Sequence, residues 1–231
     1  MPRGYKYYEI QNLPVLSVGQ VFTTSHQEVL EVAEVETPAH STLRFIGNSD
    51  HPLYEKYFVQ HERERNKKVR IGTAIRNRII EIEEFHLFVP KDRSYVFAGT
   101  KETYCDEFFT RLRSSYREFE FRGLRINLAK LRAELEMSVR GGWFKNLTIA
   151  DVRTAGIFGS KVSESDDWSR YEQSGILSAL TLELEMQGIQ YNFQLLRDGG
   201  TVLYDPLSER DCVEFLQNIR DLIYQYAEAE I

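Results

Sequence analysis

Residues 85–113 read FHLFVPKDRSYVFAGTKETYCDEFFTRLR and residues 191–220 read YNFQLLRDGGTVLYDPLSERDCVEFLQNIR, and these two stretches decide the predicted fold. In each, apolar residues first alternate with other residues, pass through a polar turn, and resume. An apolar residue then recurs every three or four positions. Alternation is typical of a β-strand, and the longer period is typical of a helix. Both stretches therefore predict two antiparallel strands followed by a helix.

The two stretches also match each other along their length. The aligned pairs include Phe85 with Tyr191, Val96 with Val202 and, after one inserted residue, Cys105 with Cys212. Internal duplication explains this match, and so does convergence, because any unit of this kind needs turn residues and an apolar helix face. Both explanations stay open. Either one predicts an α+β fold of mainly antiparallel sheet, with helices on one face and two related strand–strand–helix units.

The rest of the chain is assigned by working outward from these stretches. We expect residues 71–231 to form the α+β core. Residues 1–70 are predicted to be an N-terminal arm or a small subdomain. Within them, residues 27–36 fit a helix and a strand equally, and residues 53–69 favour a helix with a very polar second half, or a loop. Residues 159–171 are predicted to be a polar loop.

The composition predicts a soluble, cytoplasmic protein. The first residues lack the apolar core of a secretory signal, and no apolar run approaches the roughly 20 residues that cross a bilayer. Two cysteines among 231 residues cannot build a disulfide framework, so we expect reduced thiols. With 42% hydrophobic residues, the chain has ample apolar surface for a core.

Charge is distributed unevenly along the chain. Residues 61–145 contain 19 Lys and Arg against 13 Asp and Glu, although the whole chain has a net charge of −6. Such asymmetry predicts a nucleic acid or an acidic protein surface as the partner, while a solvated charged face is the alternative. The candidate binding residues are Arg63, Arg65, Lys67, Lys68, Arg70, Arg76, Arg78, Arg117, Arg122 and Arg125.

Motifs that indicate catalysis are missing from the sequence. There is no phosphate-binding glycine loop, no HExxH, no CxxC and no GxSxG, so we predict no cofactor and no metal. The favoured hypothesis is a non-enzymatic binding or accessory subunit. One alternative is a metal-dependent hydrolase or nuclease that uses strand carboxylates such as Glu183, together with Asp166. Another is a structural subunit of a homo- or hetero-oligomer, formed through exposed strand edges.

Overall fold

A computed structural model describes residues 3–25, 39–134, 138–149, 151–186 and 188–228. The side chains of Ile71, Ala74, Arg76 and Arg78 are outside this description. The segment 27–36, which fits a helix and a strand equally by sequence, also lies outside the described residues. The side chains of the remaining ranges define the fold and the candidate site.

Strands dominate the described ranges. They are β1 (Arg3–Gln11), β2 (Val21–Ser25), β3 (His40–Asn48), β4 (Tyr54–Ile71), β5 (Ala74–Pro90), β6 (Tyr95–Ala98), β7 (Glu120–Gly123), β8 (Ser138–Lys145), β9 (Thr154–Phe158), β10 (Ile176–Met186), β11 (Ile189–Leu196) and β12 (Gly200–Leu203). The helices are α1 (Glu102–Ser115), α2 (Leu128–Glu134), α3 (Asp166–Ser174) and α4 (Glu209–Ile223). Strand pairing is antiparallel, so the predicted α+β class is confirmed.

The chain divides into two compact units. The central unit is Tyr8–Arg122, and the terminal unit combines Met1–Tyr7 with Gly123–Ile231. Strands of the central unit neighbour one another in the order β2-β3-β4-β5-β6-β1, and β7 also pairs with β1. In the terminal unit the order is β1-β12-β11-β10-β8-β9. These units divide the chain after residues 7 and 122, whereas the sequence analysis placed a boundary after residue 70.

In the central unit, helix α1 packs on the strands that surround β5. Its buried residues recur every three or four positions and form one face: Cys105, Phe108, Phe109 and Leu112. Phe85 of β5 meets the ring of Phe108 edge-on at 5.9 Å between centroids. Because alternate strand residues point to opposite faces, Phe85, Leu87 and Val89 all enter this core. The helix begins after Lys101, whose side chain makes no capping hydrogen bond.

Helix α4 closes the core of the terminal unit. The Ser208 hydroxyl accepts a hydrogen bond from the Asp211 backbone N–H at 3.2 Å and so caps the start of the helix. Phe215 of this helix contacts the rings of Tyr191 and Phe193, with centroids 4.7 and 5.1 Å away. Burial raises the pKa of the Cys212 thiol, so this side chain behaves as an inert core residue.

Residues 85–113 and 191–220 each form strand, turn, strand and helix, as their sequences predict. In the turn between β11 and β12, Gly199 has φ +81°, a conformation that favours glycine. The internal duplication and the placement of helices on one face stay predictions.

Two segments differ from their predicted structure. Residues 53–69 lie mostly in β4, so the predicted helix or loop is wrong there. Residues 159–171 contain the start of α3, which Ser165 caps by accepting from the Trp168 N–H at 3.2 Å. The indole of Trp168 is buried and anchors this short helix, so the segment is not the predicted loop. None of the helices in the described ranges is long and apolar enough to cross a lipid bilayer.

Candidate functional site

The longest hairpin of the central unit joins β4 to β5 and carries most of the predicted binding residues. Its strands are 18 and 17 residues long. The pairing of β4 with β3 ends at His61, and the pairing of β5 with β6 begins at Leu87. Beyond these points the described residues of the two strands pair only with each other. At about 3.3 Å per residue, this two-stranded ribbon extends roughly 30 Å from His61 to the turn.

A two-residue turn closes the ribbon and explains why the chain reverses where it does. Gly72 occupies its first position with φ +61°, which a side chain would strain. Glycine at the first position is typical of the tight turns that match the twist of antiparallel strands. The Arg70 Nε also donates to the Gly72 carbonyl oxygen at 3.0 Å. The turn is therefore specified locally.

The end of this ribbon, residues 66–78, is here called the hairpin tip. It reads NKKVRIGTAIRNR and contains five basic residues and no acidic residue. A β-bulge lies between Asn66 and Val69, where one strand advances by an extra residue. The bulge contains Lys67 and Lys68, and both side chains are exposed, as is Arg70. The tip is therefore a narrow cationic ribbon.

The hairpin base is the polar contact between β4 and α1, and its residues on β3 and β4 are buried. It consists of Ser41, His61, Arg63, Glu107 and Arg111. The Ser41 hydroxyl lies 2.7 Å from His61 Nδ1 and accepts a bond from Arg111 Nη1 at 2.9 Å. The same Nη1 donates to the Glu62 carbonyl oxygen at 2.8 Å. These bonds tie α1 to strands β3 and β4.

Arg63 belongs to the base and not to the exposed surface. Its side chain forms a two-pronged ion pair with Glu107, and its guanidinium lies 4.5 Å above the ring of Tyr104. Only 6% of the residue is exposed. A guanidinium so placed is largely unavailable to a large partner, although sequence reasoning grouped Arg63 with the other cations.

The base holds His61 in its neutral form. Burial, together with the positive charge of Arg111, lowers the pKa of His61 to about 4, against the opposing effect of Glu107. The Ser41 oxygen accepts from Arg111, so the hydroxyl hydrogen of Ser41 can be donated to His61 Nδ1. The imidazole proton of the neutral ring is therefore assigned to Nε2. That atom lies 3.7 Å from Glu107, too far for a hydrogen bond.

The remaining predicted residues on the hairpin have different surroundings. Arg65 is partly exposed and its Nε donates to Glu81 across the ribbon at 3.1 Å. Arg76 pairs with Val69 in the strand register, and Arg78 pairs with Asn66. The side chains of these two arginines lie outside the described residues, so only their places in the ribbon are known. Lys67, Lys68 and Arg70 are thus the exposed cations of the tip among the described side chains.

Three predicted residues lie away from the hairpin. Arg117 is exposed beyond the end of α1. Arg122 donates to Glu9 within the central unit at 2.9 Å, and Arg125 lies 3.6 Å from Glu228 in the terminal unit. Exposed predicted cations therefore lie both at the tip and elsewhere, and Arg122 and Arg125 lie beside carboxylates.

A cleft of about 400 Å³ adjoins the hairpin base. Its lining includes two cations, Arg63 and Arg111, and three carboxylates, Glu64, Asp106 and Glu107. Ser41, His61 and Glu107 come together in the order hydroxyl, imidazole, carboxylate. Ser41 and His61 are both completely buried, however, and the serine oxygen is engaged by Arg111. This arrangement suits a structural network better than a nucleophile, which needs contact with substrate.

The carboxylates considered for metal chemistry have structural roles in this fold. Glu183 pairs with Arg140 of the neighbouring strand. Asp166 lies in the first turn of α3, where its negative charge interacts favourably with the helix dipole. Within the described ranges, no group of three or more His, Cys, Asp and Glu side chains is placed to hold a metal ion. These contacts give no support to the hydrolase alternative.

Sequence reasoning missed the first strand of the ribbon, β4, and the hairpin base. The signal for the strand is an alternation of charge in HERER, residues 61–65, where Arg63 and Arg65 share one face and Glu62 and Glu64 the other. The signal for the turn is Gly72. The partners of His61 could not be found, because Ser41 and Glu107 are distant in sequence.

Comparison with known proteins adds no functional assignment. No protein-family model matches the chain, and none of the curated proteins is similar to it in sequence. The function therefore has to be argued from the contacts and charges of the hairpin.

Proposed function

We propose that the protein is a non-enzymatic nucleic-acid-binding subunit whose contact element is the hairpin tip. The observation that carries the proposal is the tip itself, a two-stranded ribbon with five basic and no acidic residues over thirteen positions. Lys67, Lys68 and Arg70 are exposed there. Cations without interleaved carboxylates suit a polyanion, which presents regularly spaced negative charge.

The shape of the ribbon also suits a nucleic acid. The major groove of B-form DNA, about 12 Å wide, admits a two-stranded β-ribbon. Lysine and arginine on such a ribbon reach phosphates on both sides of the groove and position the protein without reading sequence. Each neutralised phosphate releases condensed counterions, so five contacts give a slope of about −4.5 in log affinity against log salt concentration.

The hairpin base supports this role by orienting the ribbon. The Arg63–Glu107 pair and the bonds to Ser41 fasten β4 to α1 just before the tip begins. A supported ribbon loses less conformational freedom on binding than an unsupported loop, and this preserves affinity. Arg63 and Arg111 of the base thus serve orientation, and the exposed cations of the tip serve contact.

The test is fluorescence-anisotropy binding to labelled single- and double-stranded oligonucleotides over a range of salt concentrations. The test variant is Lys67→Glu/Lys68→Glu/Arg70→Glu. The matched control is Lys91→Glu/Lys101→Glu/Arg210→Glu, which makes the same change in net charge at exposed positions outside the tip. We expect the test variant to lose at least about 100-fold in affinity and most of the salt slope, with a much smaller loss in the control.

Two results contradict the proposal. Equal losses in both triple variants mean that net charge, and not the tip, attracts the nucleic acid. If the unmodified protein shows no binding at low salt, the tip does not bind nucleic acid, and an acidic protein surface becomes the partner to test.

A further inference from the structure

An exposed aromatic pair lies on the outer strands of the terminal unit, well separated in sequence from the hairpin tip. Trp143 of β8 is 40% exposed and Phe158 of β9 is 56% exposed. Their ring centroids are 5.5 Å apart at an interplanar angle of 71°. Large aromatic side chains usually bury most of their area, so two exposed rings in contact form a distinct apolar surface.

A glycine opposite each ring lets that ring lie close against the neighbouring strand. Gly156 is the register partner of Trp143, and Gly141 is the register partner of Phe158. A Cβ atom at Gly141 would lie 2.3 Å from Phe158 Cδ1, and one at Gly156 would lie 3.1 Å from Trp143 Cε3. A side chain at Gly141 would therefore clash with the Phe158 ring, and one at Gly156 would crowd the Trp143 ring. Rings supported in this way expose their other side to solvent.

Basic residues lie close to this pair in sequence, within an otherwise acidic unit. Residues 138–161 contain four basic residues and one acidic residue. All four basic side chains are exposed: Arg140, Lys145, Arg153 and Lys161. Arg140 is paired with Glu183, and the other three flank the two strands at their ends. Residues 138–161 therefore carry both exposed aromatic rings and exposed cations.

We propose that Trp143 and Phe158 form a stacking platform for the bases of a single-stranded nucleic acid. The inference rests on the proposed function and deepens it, because it names single strands as the ligand of a second surface. Unpaired bases stack on aromatic side chains while nearby cations follow the phosphates. Duplex ends aside, paired bases are unavailable for such stacking, so the platform discriminates between the two forms of nucleic acid.

The chain provides its own fluorescent reporter for this contact. It contains two tryptophans, of which Trp143 is exposed and Trp168 is 1% exposed. Titration with an oligothymidine of about 12 nucleotides should quench the fluorescence of Trp143 in a saturable way, because a stacked base lies on the indole. Trp143→Phe should abolish the quenching and keep most of the affinity.

Affinity is measured in parallel by anisotropy with labelled oligothymidine and with a labelled duplex. Trp143→Ala and Phe158→Ala should each lose roughly 5- to 100-fold for oligothymidine and less than about 2-fold for duplex. Trp143→Leu keeps apolar area without a π-face, so it should lose affinity as Trp143→Ala does. Ile189→Ala removes another exposed apolar side chain of the same unit and should change neither affinity.

The outcomes separate failure of the platform from failure of the proposed function. If the tip triple variant loses oligothymidine binding while Trp143→Ala and Trp143→Leu retain it, the platform is wrong and the tip proposal stands. Unchanged affinity in Trp143→Leu alone also overturns stacking, because apolar contact then suffices. If the unmodified protein binds neither oligothymidine nor duplex, both proposals are wrong.

Discussion

The hairpin base and the hairpin tip lie on the same pair of strands, yet their cations have different surroundings. At the base, Arg63 is buried and held by Glu107, and Arg111 is held by Ser41. At the tip, Lys67 and Lys68 are exposed in a segment that contains no acidic residue. The role of a charged side chain therefore depends on the carboxylates and helices beside it, and not on the sign of its charge.

The largest effect on stability is expected from the ion pair of the base. Glu107→Gln should lower the free energy of unfolding by about 3 kcal/mol, because it leaves the buried Arg63 charge without its partner. We place the effect at the low end for such pairs because the Glu107 side chain is 45% exposed. Urea unfolding measures the change. Glu84→Gln, at an exposed site on β5, is the control and should stay within about 0.5 kcal/mol.

A second test uses the neutral state of His61. Its pKa is about 4 in the folded protein and 6.5 in the unfolded chain, so between these values only the unfolded chain takes up the proton. The free energy of unfolding should therefore fall by roughly 2 to 3 kcal/mol from this residue as pH drops from about 6.5 to 4. Urea unfolding at several pH values should show a flatter profile in His61→Gln. Equal slopes in the two proteins would mean that the folded protein protonates His61 over the same pH range as the unfolded chain does.

A smaller effect is expected from the hydroxyl at the centre of the base. Ser41→Ala leaves His61 Nδ1 without its bond and removes one acceptor from Arg111, at a cost of about 1 to 2 kcal/mol. Ser114→Ala removes a hydroxyl that bonds only within α1, at 2.9 Å to the Thr110 carbonyl oxygen, and should cost much less. Thermal or urea unfolding of both variants measures the difference. Similar losses would remove Ser41 from the account of the base.

The smallest effect on stability should come from the tip. Lys67→Gln should change the free energy of unfolding by less than about 0.5 kcal/mol, because the side chain is exposed. It should also reduce the magnitude of the salt slope of duplex binding by about 1, which corresponds to one lost phosphate contact. A large loss of stability with an unchanged slope would place Lys67 among the structural cations.

Sequence reasoning predicted the elements whose patterns are local. The alternation of Phe85, Leu87 and Val89 and the helical spacing of Phe215 and Ile219 predicted strands and helices that the structure contains. It failed at residues 61–70, because alternation there is carried by charge and not by apolar residues. Burial of a cation depends on partners from distant elements, and no local pattern distinguishes Arg63 from Lys67.

The same limit applied to the aromatic platform. Glycines within a strand often mark a bulge, and β8 pairs irregularly with β10 around Gly141-Gly142-Trp143. That Trp143 lies over Gly156 follows from the pairing of β8 with β9, which the spacing of the residues did not reveal. Position on a strand was therefore predictable, and exposure was not.

Hydrogen–deuterium exchange with and without a bound oligonucleotide duplex tests the difference between tip and base most directly. We predict slower exchange in peptides that cover residues 66–78 when the duplex is bound. Peptides that contain Ser41, His61 and Glu107 should exchange at the same rate in both samples. Protection confined to the base, or absent from residues 66–78 while the duplex is bound, would contradict the assignment of contact to the tip.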